Sequence, residues 1–149
     1  MRAVFVSLLL LAGCATTPGP VSSPAFPSLV AAAVPNAMIY GPSMWTPNSR
    51  QIAEFQNTSG AVAAMPWKDG VTAITHDGLS FMEWDAHENA YVVTRRFERD
   101  AITASLVTQG RSCALVVQEI DTATFHVFDF VRGVMNDCAK ARDALAALG

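Results

Sequence analysis

The sequence predicts a mainly β domain of the α+β class, in which a bent antiparallel sheet or barrel of seven strands precedes one amphipathic helix. Three observations support this: short runs with alternating apolar and polar residues, turn residues between the runs, and a change to helical spacing after residue 136. A two-layer domain of sheet and helices is the alternative.

The predicted strands follow one another from residue 61 to residue 131. Alternation is clearest where Ile102, Ala104 and Leu106 interleave with polar residues, so one face is expected to be packed and the other wet. Gly, Asn and Asp separate the runs, as is typical of hairpin turns. The strands are predicted at 61–67, 71–76, 79–85, 90–97, 101–108, 112–120 and 124–131.

The last predicted element is a helix capped by Asn136 or Asp137. Its apolar residues recur at i, i+3, i+7 and i+10, so they share one face. They are Cys138, Ala141, Leu145 and Leu148.

Residues 1–13 have the parts of a secretory signal peptide: Arg2, an apolar run and small residues before the cleavage point. The sequence Leu11-Ala12-Gly13-Cys14 resembles the lipobox of bacterial lipoproteins, in which the cysteine accepts a diacylglycerol before cleavage. The resemblance implies a mature chain that begins at a lipidated Cys14. Since Ala15 and not Asp follows the cysteine, it also implies an outer-membrane protein that faces the periplasm.

Proline content predicts the domain boundary. Seven of the eight prolines lie within residues 14–47, a composition typical of an extended tether, in which only 29–34 is expected to form a short helical or docking segment. The folded domain is predicted at 48–149, opening with a short helix capped by Asn48.

Two cysteines remain once Cys14 carries lipid, and in an oxidising periplasm such a pair usually bonds. A Cys113–Cys138 disulfide is predicted, which would staple the helix to the sheet. Two free thiols are the alternative.

The order of seven strands and one helix is similar to the pleckstrin-homology-like (PH-like) fold of GRAM and bacterial PH domains. The resemblance covers 60–148 and rests on the segment 70–81 and on 100–102 ahead of 113–117. It implies a helix that fills one end of a bent sheet, and a fold used to bind lipids, peptides or proteins. The early hairpin carries Lys68 alone, so inositide binding is not implied.

Composition argues against a nucleic-acid partner. Removal of residues 1–13 would leave nine basic and thirteen acidic side chains, and the lysines are Lys68 and Lys140. The sequence contains no Gly-x-Ser-x-Gly elbow and no phosphate-binding loop. No cofactor is predicted.

Two groups of residues could carry chemistry. A mixture of imidazoles and carboxylates could hold a divalent metal, although a solvated hairpin end is the simpler interpretation; these residues are His76, Glu83, Asp85 and His87, with Asp77 and Glu88 beside them. Arginines could bind an anionic headgroup or cell-wall polymer; the candidates are Arg95, Arg96 and Arg99, with Arg111 as a further one. Arg95 and Arg96 are expected on opposite sides of a strand, and Glu98 and Asp100 lie between, so ordinary surface pairing is favoured.

The aromatic residues are predicted either to fill the core or to contact a partner. Trp67 and Trp84 are predicted in the core, as large aromatics in small β domains usually are. Tyr40 and Trp45, in the predicted tether, are expected to contact a partner or to strap the domain. His126 is expected to be a hydrogen-bonded structural histidine.

These patterns together predict a lipid-anchored cell-envelope protein that acts by binding or assembly, without catalysis. Its expected partners are the membrane, through the lipid anchor, and another envelope protein or ligand. A metal-dependent periplasmic hydrolase and a structural subunit of an envelope complex are the alternatives.

Overall fold

The computed structural model describes residues 17–46 and 67–149. The predicted signal peptide, Cys14, the helix at Asn48 and the strand residues 61–66 lie outside these ranges. In chain order the elements are α1 (Phe26–Ala33), β1 (Ile39–Thr46), β2 (Lys68–Thr75), β3 (Gly78–Asp85), β4 (Ala90–Glu98), β5 (Ile102–Gln109), β6 (Ser112–Glu119), β7 (Phe125–Arg132), β8 (Met135–Asn136) and α2 (Cys138–Leu148).

The strands form one open antiparallel sheet in the order β4-β3-β2-β1-β7-β6-β5, and the two-residue β8 pairs with β7. The sheet bends strongly. Phe97 of β4 packs edge-on against Phe128 of β7 with ring centroids 5.8 Å apart, although three strands separate β4 from β7 in the sheet. The prediction of a mainly β, bent antiparallel sheet with a C-terminal helix is therefore confirmed.

The predicted boundary at residue 48 does not agree with the described structure. Ile39–Thr46, assigned to the tether, form β1, which lies between β2 and β7 in the sheet. Pro42 lies opposite Val71 of β2, and the pairing with β7 begins only at Ser43, so its missing N–H does not interrupt the β7 ladder. The prolines misled the prediction because several occupy turns and the first turn of α1 rather than a tether.

The concave face of the sheet carries the main core. Trp45, Phe81 and Phe128 lie in this core, and Ala141 and Ala144 are the α2 residues fully buried against it. Small side chains at these two positions allow the helix to approach the strands closely.

A disulfide fixes the start of α2 to the sheet. Cys113 of β6 and Cys138 are bonded, with their Cα atoms 5.2 Å apart, which confirms the predicted bridge. The bond closes a sequence separation of 25 residues. Loss of chain entropy in the unfolded state would make a loop of this size worth about 3.5 kcal/mol.

The convex face of strands β2 to β4 is covered by α1. Val30 and Val34 are buried against Val71, Ala73 and Met82. The predicted helical segment at 29–34 is thus a packed part of the domain. None of the described helices is long and apolar enough to cross a membrane.

The aromatic predictions are partly corrected. Trp45 is 6% exposed and lies in the main core because β1 is central, so it is not a strap. Tyr40 packs edge-on against Phe26 of α1, with centroids 5.7 Å apart. Trp67 and Trp84 are half-buried against smaller apolar clusters, less enclosed than predicted.

Candidate functional site

A small cavity opens on the concave side of the sheet, and we call it the mouth cavity. It has a volume of about 290 Å³. It lies where β1 and β6 end and β7 begins, and β4 curls over it from the sheet edge. The residues that line it are Trp45, Arg95, Glu119, Thr122, Thr124 and His126.

An ionic network crosses the mouth cavity. The Arg95 guanidinium donates to Glu119 Oε1 at 2.8 Å, and His126 Nε2 lies 2.6 Å from the same oxygen. Arg95 also stands over the ring of Phe97, 5.2 Å from its centroid. Because β4 and β6 are not neighbours in the sheet, the network ties the curled edge of the sheet to the opposite half.

Burial and hydrogen bonding set the charge states of this network. Burial by itself would raise the pKa of Glu119, but hydrogen bonds from His126 and Arg95 outweigh it, and the net shift of the pKa is downward. Burial lowers the pKa of His126 despite the nearby carboxylate. Near neutral pH a neutral His126 therefore faces an ionised Glu119.

This pairing determines the tautomer of His126. An ionised carboxylate can only accept hydrogen bonds, so Nε2 carries the proton and Nδ1 carries the lone pair. Nδ1 is buried and has no hydrogen-bond partner within residues 17–46 and 67–149. His126, which lines the mouth cavity, thus has a buried acceptor atom without a described partner.

Trp45 supplies the matching donor. Its indole Nε1 is buried and, like Nδ1 of His126, lacks a partner in the described part of the chain. The two rings are stacked with centroids 6.0 Å apart, and both residues line the cavity. A buried polar atom without a partner loses the free energy of a hydrogen bond, on the order of 1–3 kcal/mol. A small group that both donates and accepts would recover that loss.

A larger cleft, of about 580 Å³, lies at the turn between β2 and β3. Arg96 and Arg99 reach it together with His76, so the structure brings together two of the three arginines singled out from sequence. Arg99 also donates to the carbonyl of Ala147 in α2. The other charged residues that line this cleft are acidic: Asp77, Glu98 and Asp100. Its mixed, solvated charges do not define a ligand.

Arg95 is separated from the other arginines by the pleat of β4. It is paired across the sheet with Phe81, whereas Arg96 is paired with Ser80, so successive side chains point to opposite faces. The candidate arginines are therefore divided between the mouth cavity and the cleft. Arg111, in the turn between β5 and β6, lines neither cavity.

The predicted metal residues are not brought together. His76 precedes β3 and Asp85 ends it, which separates them by roughly 20 Å along the strand. Glu83 pairs with Lys68 at 3.6 Å, and Asp85 caps the turn that carries the exposed His87. No group of three metal-ligating side chains occurs among the described residues. The candidate ligands of the metal alternative do not converge because they fall at both ends of one strand.

Sequence reasoning did not identify Glu119 as the partner of His126, nor the ring nitrogen of His126 that lacks a described partner. His126 is 3% exposed, as expected for a structural histidine, but one ring nitrogen has no described partner. The available signal was a charged residue at the end of an apolar strand, followed after a turn by a histidine among aromatics.

No family model matches this chain, and neither curated proteins nor solved structures show a match. The described residues form an open antiparallel sheet that packs α2 on its concave face and has a polar cavity on the same side.

Proposed function

We propose that this protein is a lipid-anchored cell-envelope protein that acts by binding, without catalysis, and that its ligand enters the mouth cavity. The observation that carries the proposal is the pair of buried, unpartnered polar atoms beside a pre-formed ion pair, in the part of the chain that the structure describes. Buried polar atoms are normally satisfied, and exceptions point to an unseen partner.

The chemistry of the mouth cavity limits the ligand. Arg95 and Glu119 already neutralise each other, so a strongly charged group has no free counter-charge there. A donor for His126 Nδ1 and an acceptor for Trp45 Nε1 describe a hydroxyl or an amide. A volume near 290 Å³ suits the end of a larger molecule. A sugar hydroxyl or an amide of cell-wall material fits these requirements.

The side chains that line the mouth cavity are better suited to binding than to catalysis. The hydroxyls that line the mouth cavity belong to Thr122 and Thr124, and neither is hydrogen-bonded to His126 among the described contacts. The one imidazole hydrogen bond goes to Glu119. A side-chain nucleophile paired with a base, which hydrolases that form a covalent intermediate use, is not assembled within the described residues of the cavity.

The anchor is tested with Cys14→Ser in the full chain. We expect the variant to lose palmitate labelling and to leave the membrane fraction, since only a thiol accepts the lipid, and two or more acyl chains anchor stably where one does not. Unchanged labelling and sedimentation would contradict the lipoprotein assignment and the proposed outer-membrane location on the periplasmic side.

The mouth cavity is tested by nuclear magnetic resonance with soluble cell-wall fragments as the probe. The indole N–H signal of Trp45 should shift on titration, because that group gains an acceptor. Arg95→Gln should abolish the shift by releasing Glu119. The adjacent Arg96→Gln is the matched control, because Arg96 lies on the other face of β4 and should leave the shift intact.

An unmoved Trp45 signal in the wild type would contradict binding at the mouth cavity. If the protein then co-purified in fixed stoichiometry with an envelope complex, the structural-subunit alternative would replace the binding function. The PH-like resemblance is compatible with either result, since that fold serves lipids, peptides and protein surfaces alike.

A further inference from the structure

The chain is held against the domain only four residues after Cys14. The hydroxyl of Tyr91, in β4, donates to the carbonyl oxygen of Pro18 at 2.8 Å. Gly19 follows with φ +77°, and a Cβ atom placed there would lie 2.9 Å from the indole of Trp84. Only a glycine fits between this indole and the backbone in that conformation.

The contact at Pro18 is partly buried. Burial leaves Tyr91 5% exposed and raises the pKa of its hydroxyl to about 12. The hydroxyl is therefore neutral, and able to donate to Pro18, at any pH the cell envelope reaches. The rings of Trp84 and Tyr91 meet edge-on with centroids 5.1 Å apart.

The residues that follow Pro18 are also held against the domain. Turn hydrogen bonds join Val21 N to Gly19 O and Ser23 N to Pro20 O, each 2.9 Å long. Val21 packs on the same apolar cluster as α1, and α1 leads directly into β1. The segment predicted as a long tether is thus part of the domain from Pro18 onward.

We propose that the surface around Trp84 and Pro18, beside the turn of the β3–β4 hairpin, is the face that lies on the membrane. This inference rests on the proposed lipidation of Cys14. Four residue steps at full extension span about 14 Å, so the acyl chains on Cys14 hold Pro18 within that distance of the lipid. A domain joined to its acyl chains by so few residues must lie close to the bilayer.

The partner of this face is the headgroup layer of the bilayer that holds the anchor. Trp84 is half-buried, so part of its amphipathic indole is open to an interface that favours such side chains. The adjacent turn carries Asp85 and Glu88 and so does not attract an anionic surface. Attachment therefore depends on the acyl chains and the aromatic contact, and added salt should not release it.

The orientation leaves the mouth cavity accessible. Trp84 and Tyr91 pack with α1 on the convex side of the sheet, whereas Trp45 and His126 belong to the concave side. Membrane contact and ligand entry thus use opposite faces of the sheet.

Energy transfer from tryptophan to dansyl-labelled headgroups tests the orientation. The full-length lipidated protein is reconstituted in phosphatidylcholine vesicles that contain the dansyl lipid. We expect most of the transfer to come from Trp84, so Trp84→Phe should remove most of it. Trp67→Phe is the matched control and should remove little, because Trp67 packs against β6 and β7 on a different part of the sheet.

A second variant lengthens the segment between Cys14 and Pro18 and leaves the domain unchanged. Twelve Gly and Ser residues inserted between Ala15 and Thr16 add an average reach of about 20 Å, so transfer should fall about twofold or more while sedimentation with vesicles is retained. Tyr91→Phe should lower transfer in the same direction by freeing Pro18.

Two results would overturn the inference. Transfer that is unaffected by the insertion, or equal losses from Trp84→Phe and Trp67→Phe, in protein that still sediments with vesicles, would show that this face does not lie on the membrane, and would leave the lipid anchor standing. A full-length protein that carries no lipid would overturn the anchor and the orientation together.

Discussion

His126 shows how one residue combines a satisfied and an unsatisfied atom. Its Nε2 is fixed by Glu119, whose carboxylate is held in turn by Arg95, and its Nδ1 is left for a ligand. Its place in an aromatic strand was enough to predict a hydrogen-bonded structural histidine. It could not identify Glu119, because that residue reaches His126 through the pairing of β6 with β7.

The lowered pKa of His126 makes stability depend on pH. The histidine of the unfolded chain gains a proton near its ordinary pKa of 6.5, before the buried one does, so the free energy of unfolding should decrease as the pH falls below that value. The lowered pKa of Glu119 acts in the same direction, but only below its ordinary value of 4.5. Urea midpoints at pH 7.5 and 5.5 measure the histidine contribution.

His126→Gln is the appropriate comparison. Its amide can still donate to Glu119 but does not titrate, so its urea midpoint should change less between the two pH values than that of the wild type. Equal decreases in both proteins would show that the acid sensitivity arises elsewhere.

At the scale of elements, α2 packs through its smallest residues. The sequence correctly predicted a helix with an apolar face, and its cap is observed: the side chain of Asp137 accepts from the backbone N–H of Lys140 at 3.1 Å. Leu145, which the sequence placed on the packed stripe, is only partly buried, whereas Ala144 is fully buried. Helical spacing alone cannot distinguish these neighbours, because both lie near the apolar face.

Ala144→Leu should therefore destabilise the protein by about 1–3 kcal/mol, because three added carbon atoms must enter a closely packed helix–sheet contact. Chemical denaturation measures the change. Ala146→Leu adds the same atoms at an exposed position and should change stability by no more than about 0.5 kcal/mol. Similar losses from both variants would contradict the packing of α2.

At the scale of the whole molecule, the domain includes residues that composition assigned to a tether. β1 pairs with β2 over Ile39–Trp45 and with β7 over Ser43–Thr46, so it joins the two halves of the sheet. It also contributes Trp45 to the main core. β1 therefore makes the two halves of the sheet parts of one domain.

A fragment comprising residues 48–149 should fail to fold. Loss of β1 would leave β2 and β7 with unpaired edges, and deletion of a buried Trp by itself costs about 3–5 kcal/mol, a large part of the stability of an ordinary domain. A fragment comprising 17–149 retains these contacts and should unfold cooperatively, as followed by circular dichroism. A cooperatively folded 48–149 fragment would contradict the central role of β1.

The sequence by itself determined the local features of this protein. Period-two alternation and turn residues located β2 to β7, helical spacing and a cap located α2, and the cysteine count indicated the Cys113–Cys138 bond. These signals are readable because each depends on neighbours a few residues away.

Only the tertiary structure decided where β1 lies, which charges meet and where the chain at Pro18 is held. β1 joins β7 across more than 80 residues of chain, the mouth network gathers residues from β4, β6 and β7, and Pro18 is held by Tyr91. Each of these contacts depends on the curl and strand order of the sheet. Local composition carries no information about either, so a proline-rich segment that resembles a tether can form the centre of the fold.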